Sequence, residues 1–409
     1  MNATAKRTLA GVCVGIALAH VGNYIYFPHL ISTLGVEYSG FWAGFVMFLT
    51  YVGRLSSTFF YEGLGARLGT RGSVIAGIAL EAVALGLMGF ADGLVAYGLC
   101  AFFVGFGSGM SFPGLKNILG ALPEEHRAKA FSYFQMACQT GVIAGAVVGG
   151  LFLWADMRVL FGVVFALFAG YCLAAVFVIP RDEEQDRAAA AATPLVNFAV
   201  LKGLKAGAGT RYFFLSSLFW IMSISFLVGM PLFMEEYVKG LPVSAPFWIS
   251  GITLMALQYP AFRFMIKHFR PGQVMAVAFG AMALAFVLFG AGRNVLWVVV
   301  GCFVVVFGDI LFTPSFDLWV TRRIPADRLA RAMGAMHFFR SFGNMAGTLV
   351  AGALFDLAHN TGIPGLNWYL TAALAAACAL VSLGVSARER TAEPGPDPET
   401  TPAPAPSAA

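Results

Sequence analysis

Charge is what this sequence has least of. Asp, Glu, Lys and Arg make up 11% of its 409 residues, against about 25% in soluble domains. That is too little polar material to coat a water-soluble protein of this size, which excludes a soluble globular fold. Close cysteine pairs are missing too: Cys13, Cys100, Cys138, Cys172, Cys302 and Cys378 stand singly. No disulfide framework or thiolate metal site is therefore signalled. The histidines never pair, and no HExxH or comparable constellation occurs. An intramembrane enzyme is thus disfavoured, and neither a metal nor a cofactor is expected. No segment is long and polar enough to serve as a receptor's soluble domain.

Apolar runs, by contrast, recur along the whole chain. Hydrophobic residues reach 59% and the mean hydropathy is +0.77. Many runs reach about 20 residues, enough to cross a bilayer core of about 30 Å as helix. Twelve spans are expected, at 8–31, 40–64, 73–91, 94–118, 130–154, 158–180, 212–237, 245–268, 273–292, 295–318, 330–356 and 364–386. The fold class is all-α integral membrane.

Topology follows from the basic residues. With the N-terminus inside, only Arg158, Lys239 and Arg293 fall in outside loops, and Arg54, Lys116, Arg263 and Arg340 fall within spans. All other Lys and Arg lie inside, a strong positive-inside bias. Both termini are expected on the cytoplasmic face of the cell (inner) membrane. The net charge of +5 then reports topology rather than nucleic-acid binding, and the lipid bilayer is the expected partner. The first span is too long for a signal-peptide core, and no A-x-A-like site follows it, so no cleavable signal is expected.

The polar segment 181–211 separates two sets of six spans, 1–180 and 212–388. The Pro-rich stretch 389–409, TAEPGPDPETTPAPAPSAA with its preceding Arg and Glu residues, is expected to be a disordered cytoplasmic tail. The two sets repeat one another. LPEEHRAKAFSYFQMACQTGVIAGAVVGG at 122–150 aligns at a fixed offset with IPADRLARAMGAMHFFRSFGNMAGTLVAG at 324–352, pairing Gly141/Gly343, Gly145/Gly347 and Gly150/Gly352. Spans one, four, seven and ten each carry a proline: Pro28, Pro113, Pro231 and Pro314. Interrupted backbone bonding at membrane depth is tolerated where protein or a watery cavity satisfies it. Two parallel repeats of this kind are the plan of a secondary transporter whose halves rock about a midplane site.

At this point the chain resembles the major facilitator superfamily over essentially its whole length. YEGLGARLGTRGSV after span two is similar to that superfamily's loop signature, with Arg67, Gly69 and Arg71 in place. Ala66 stands where the signature has its acidic residue. The resemblance implies a gating role for this loop, without the usual salt-bridge latch. GVIAGAVVGG in span five is similar to the antiporter signature of drug:proton exporters. Gly141, Gly145, Gly149 and Gly150 match it, and Ala146 replaces its proline. The same spacing also suits plain close helix packing. ALQYPAFRFMIKHFR at 256–270 and SGMSFPGLKNIL at 108–119 resemble the MdtH-type multidrug exporters of that superfamily. The resemblance implies two pseudo-symmetric six-helix bundles, working as a monomer on a small-molecule substrate and protons.

Ionisable residues inside the membrane cost several kcal/mol each and mark candidate functional sites. Arg54 shares a polar stripe with Thr50, Ser57, Thr58 and Tyr61 on span two, and Glu81 on span three lies at a similar depth. Asp309, Thr313 and Asp317 form a stripe on span ten, with Arg340 of span eleven at Asp309's depth. Each arginine–carboxylate couple is either a structural ion pair or part of the transport machinery. In the second case Asp309 is the favoured proton-coupling residue and Glu81 the reserve. His20, Asn23 and Tyr24 share one face of span one and are candidate cargo contacts. Lys116 lies near the cytoplasmic end of span four, as Arg263 does in span eight, where snorkelling is the simple alternative. His337 is a further titratable candidate, while Glu235 and Glu236 fall at an outer helix end.

The expected function is a proton-coupled exporter of a small organic molecule by alternating access. The cargo is either a drug-like compound or an anionic metabolite such as a carboxylate siderophore. The excess of Arg54, Lys116, Arg263 and Arg340 over Glu81 and Asp309 suits an anionic or zwitterionic cargo and tilts toward a carboxylate, since guanidinium groups bind carboxylates bidentately. The alternative is a proton symporter importing an organic acid.

Overall fold

The computed structural model describes residues 3–120, 122, 124–152, 155–179, 194–196, 210–323 and 326–392. Among these residues the chain is helical throughout, with no strand. A backbone surrounded by hydrocarbon must satisfy its own polar groups, and a continuous helix does so within one segment. Eleven helices follow in order: α1 (Ala3–Glu37), α2 (Gly40–Met88), α3 (Gly93–Gly120), α4 (Glu124–Leu151), α5 (Met157–Val178), α6 (Thr210–Tyr237), α7 (Ala245–His268), α8 (Pro271–Ala291), α9 (Val295–Arg323), α10 (Ala326–Thr361) and α11 (Leu366–Ala392). Among the described residues, nine are long and apolar enough to cross a membrane. The chain is a multi-pass membrane protein.

The spans expected at 40–64 and 73–91 are the two limbs of α2, two helices that meet at a kink. The 49 residues of α2, at about 1.5 Å each, exceed twice the thickness of a bilayer core. The element folds back at Gly69, where φ is 75° and ψ 172°. That region is open almost only to glycine. On α3, Gly105 lies against Thr50 and Gly109 against Ser57, whereas Gly107 lies against Gly77 and Gly114 against Val74. Contacts thus advance with one limb of α2 and retreat along the other, so the limbs are antiparallel. One expected boundary is corrected at the C-terminus: α11 runs to Ala392, through the first four residues of the stretch read as tail. The remainder of that stretch, and most of 181–211, lie outside the described residues.

The sequence repeat reappears as repeated packing. In the first half α1 packs on α4 and α5, and α2 on α3; in the second, α6 packs on α10, and α8 on α9 and α11. Gly141, Gly145 and Gly149 of α4 sit against the α1 backbone at Ala17, Val21 and Ile25, with no room for a Cβ. Gly343 and Gly347 of α10 meet Ser217 and Ile221 of α6 in the same way. Small residues at this spacing let helix backbones approach closely. The glycine signature of α4 is therefore a packing stripe with a counterpart in the other half. His29, buried on α1, donates from Nε2 to the Gly149 carbonyl at 2.7 Å and fastens the end of the same contact. Pro28, Pro113, Pro231 and Pro314 all lie inside helices, as does Pro260 of α7.

Contacts between the halves run through α2–α10, α4–α7 and α1–α6, and they gather at one end. There Gly352 presses on the backbone of Gly40 and Phe41, and Gly150 lies by Ser244 ahead of α7. Asp356 of α10 accepts from the Gly40 N–H at 2.7 Å and the Phe41 N–H at 2.9 Å. A carboxylate from one half thus caps the N-terminus of a helix in the other, matching its positive end. At the opposite end Lys116, Asn117 and Tyr133 are exposed. A cleft of about 550 Å³ opens there between α1 and α4, lined by Lys6, Leu9, Cys13, Lys129 and Tyr133 among others.

Gly145→Ala places a methyl on the Val21 carbonyl and should destabilise the protein by about 1–3 kcal/mol. Gly162→Ala on α5, where nothing lies within 4 Å, should leave the thermal midpoint in detergent unchanged or slightly raised. Asp356→Ala should loosen the closed end. In a cysteine-free background, a cysteine at Thr348, which packs on Gly44, should then react several-fold faster with a thiol reagent; an unchanged rate would show that the cap holds nothing shut.

Candidate functional site

The site is built where the first limb of α2, with α3, faces α6, α9 and α10. Ser57 and Thr58 turn their hydroxyls to the carbonyls of Arg54 and Leu55, at 2.7 and 2.6 Å. They are satisfied within their own helix, leaving Arg54 as the group that reaches outward. Its guanidinium carbon stands 5.5 Å from the Phe112 ring centroid, and the Lys116 ammonium stands 4.7 Å from the same ring. Phe112 and Lys116 are four residues apart on α3 and so share a face. One residue further, Asn117 donates to the Tyr61 hydroxyl at 2.9 Å and ties α3 to α2.

On the other side Arg340 of α10 stacks on Trp220 of α6, its guanidinium carbon 3.7 Å from the ring centroid. Arg340 lies within electrostatic reach of Arg54, Tyr51, Asp317 and Asp309. Lys116 feels both Arg340 and Arg54, and Tyr51 faces both arginines. Arg54, Lys116 and Arg340 are all exposed. The three cations therefore converge from two halves of the chain.

Of the two alternatives for each arginine–carboxylate couple, the direct ion pair is not formed. Neither Arg54–Glu81 nor Asp309–Arg340 closes to within 4.0 Å. Asp309 is half-buried and accepts from the Ser223 hydroxyl at 3.3 Å. Trp220 and Ser223 are successive turns of α6, so this helix takes the guanidinium on one turn and the carboxylate on the next. Matching depth along two helices had suggested a pair; in the structure each side chain takes a partner on α6 instead. Glu81 is 4% exposed, faces Asn23 of α1 and feels Arg54 only through space.

Aromatic packing sets the pose of α9. Phe219 of α6 and Phe312 of α9 stack with centroids 3.7 Å apart at 7°, and Phe312 continues onto Phe316 at 5.7 Å and 9°. Phe279 of α8 closes the group edge-on. These rings anchor one face of α9, and the adjoining face carries Asp309, Thr313 and Asp317.

Span-one candidates diverge. His20 donates from Nδ1 to the Ile16 carbonyl at 2.9 Å and keeps its other edge within reach of Arg54. Asn23 turns to Glu81, while Tyr24 packs edge-on against Phe247 of α7 at 5.8 Å. Of the three, His20 alone adjoins the cation cluster. Around the α2 hairpin, Arg67 is exposed and Gly69 makes the turn. Arg71 donates to the Val176 carbonyl in the last turn of α5, joining helices of the same half. Arg263 is exposed on α7 and donates to the Tyr259 hydroxyl at 2.9 Å. The His337 side chain lies outside the described residues.

Four participants escaped the sequence reading: Phe112, Trp220, Ser223 and Tyr51. Phe112 was legible, since it precedes Lys116 by one turn. Nothing in a span rich in aromatics separates Trp220 from its neighbours, and Ser223 looks like an ordinary small packing residue.

Known proteins agree with this architecture. The family model described as Major Facilitator Superfamily matches residues 12–348. Multidrug resistance protein MdtH of Proteus mirabilis (strain HI4320) is 25% identical over 370 residues, covering 86% of this chain and 88% of its own. MdtH of Escherichia coli (strain SE11) is 23% identical over 366 residues, with the same coverage. Among solved structures, the nucleoside transporter NupG superposes with a TM-score of 0.78 at 16% identity, over 92% of this chain and 99% of its own. The peptide transporter POT does so with a TM-score of 0.76 at 15% identity, over 93% and 94%. At such identities these two structures speak for the fold alone. With a matching family model across most of its length and a helical membrane architecture to go with it, the chain belongs to the Major Facilitator Superfamily of transporters.

Proposed function

We propose that this transporter is a proton-coupled exporter of a small organic molecule, working as a monomer by alternating access. In this reading α2 supplies two spans, so that twelve spans form two six-helix bundles, 1–180 and 212–388, joined by the cytoplasmic segment 181–211. Both termini lie in the cytoplasm and the protein resides in the inner membrane, which makes the open end of the cavity its cytoplasmic face. Outward transport is supported by the relatives named for multidrug resistance.

One observation carries the coupling role: Asp309 is a half-buried carboxylate held by Ser223, near Arg340 yet not ion-paired with it. A carboxylate in that setting is poised between two states, a protonated one and an ionised one that draws Arg340 from Trp220. Exchange between them alters which groups bridge α6, α9 and α10, the elements that must shift as the cavity changes sides. Glu81, with Asn23 beside it, is the second candidate in the other half. Arg67, Gly69 and Arg71 shape the loop at the cytoplasmic end of α2, and Arg71 ties that loop to α5.

A second reading, a proton symporter importing an organic acid, is favoured by the cation cluster. An anion bound at Arg54, Lys116 and Arg340 and a proton on Asp309 stabilise each other electrostatically, the linkage that cotransport needs.

Asp309→Asn should fold and reach the membrane at wild-type levels while losing proton-driven transport. The check is mass spectrometry of cells and spent medium from strains carrying no gene, the wild type or the variant. A compound that leaves wild-type cells should stay inside cells with the variant, as in the deletion. Export retained by the variant would move coupling to Glu81 or His20. A compound that instead enters cells with the wild type would establish import.

A further inference from the structure

We infer that the cargo binds as an organic anion with at least two separated acidic groups, one held by Arg54 and Lys116 and the other by Arg340. This rests on the transporter reading but not on its direction or its coupling ion. The geometry supplies two subsites. In the first half Arg54 and Lys116 flank the Phe112 ring; in the second Arg340 lies on Trp220. None of the three is in ion-pair contact with a carboxylate, although Asp309 and Asp317 lie near enough to act on Arg340. Cations kept inside a membrane protein ordinarily find a counter-ion. Here aromatic faces hold them in place without neutralising them, which leaves their hydrogen-bond donors free for a ligand.

The subsites sit on opposite halves. A singly charged molecule satisfies one of them, whereas a molecule with two acidic groups spans both and draws the halves together around itself. Guanidinium favours carboxylate because its fork meets both oxygens, and the ammonium of Lys116 adds a point charge. The approach is positive as well: Lys6 and Lys129 line the cleft at the open end, and fields of one sign at a mouth raise the local concentration of the opposite ion. A lipophilic cation, by contrast, meets three positive groups.

The test is equilibrium binding to the full-length protein in detergent, by calorimetry and thermal shift, without any gradient. The probes are citrate and succinate, acetate as a monoacid, and tetraphenylphosphonium as a lipophilic cation. Di- and tricarboxylates should raise the melting midpoint and bind more tightly than acetate, less so as salt is added. Arg340→Gln and Arg54→Gln should each weaken that binding by about tenfold or more, and Arg263→Gln, away from the cavity, should not. Stabilisation by tetraphenylphosphonium with none by any di- or tricarboxylate overturns the inference, as does carboxylate binding that survives both cavity substitutions. Carboxylate binding in a protein that shows no proton-linked transport would sink the coupling proposal and leave this one standing.

Discussion

A charge in hydrocarbon must be answered by something, and the answer found here shapes everything around it. Arg54, Lys116 and Arg340 are met by rings instead of carboxylates. Asp309 is met by a serine hydroxyl and Glu81 by Asn23. Ion pairs would have locked the helices together, since removing one partner of a buried pair strands the other at a cost of about 3–5 kcal/mol. Cation–π contacts and single hydrogen bonds are weaker, about 1–2 kcal/mol each, and can be exchanged for others. The cavity is thereby left polar, charged and able to change partners.

Rigid packing surrounds this adaptable centre. The glycine stripes of α4 and α10 bring backbone onto backbone at α1 and α6, in the same step of four residues in each half. The aromatic stack from Phe219 through Phe312 to Phe316 fixes α9. Each half can thus move as a unit. Between the halves the joints gather at one end, among them Gly352 on Gly40, Gly150 by Ser244, and Asp356 on the start of α2. Gly150 and Gly352 are equivalent in the repeat, and both meet the other half. The same sequence pattern therefore builds both the stiffness of a half and its joint to the partner half.

Much of this was legible in the sequence. Apolar runs marked the helices, the repeat marked equivalent helices, and its glycines marked the close approaches. The polar stripes identified the residues that converge on the cavity, Arg54, Arg340 and Asp309 among them. Partnerships were not legible. Counting residues from a loop yields the depth of a side chain but not its direction around the axis, so Arg340 and Asp309 looked like a pair although each takes its partner on α6. Span one shows the same limit: His20, Asn23 and Tyr24 share a face on a helical wheel, yet each meets a different neighbour. Spans two and three read as separate helices, and they are the two limbs of α2 that meet at Gly69, where the backbone leaves the helical conformation.

The account turns on the halves moving against each other, with one end closing as the other opens. Spin-label distances in lipid nanodiscs test this most directly, with one pair at Val36 and Ile363 near the closed end and another at Leu68 and Phe214 near the open end. Between acid and alkaline pH the two distance distributions should shift in opposite senses, the first pair separating as the second approaches. If both pairs keep one distance throughout, or separate together, alternation about the Asp309–Arg340 region is wrong.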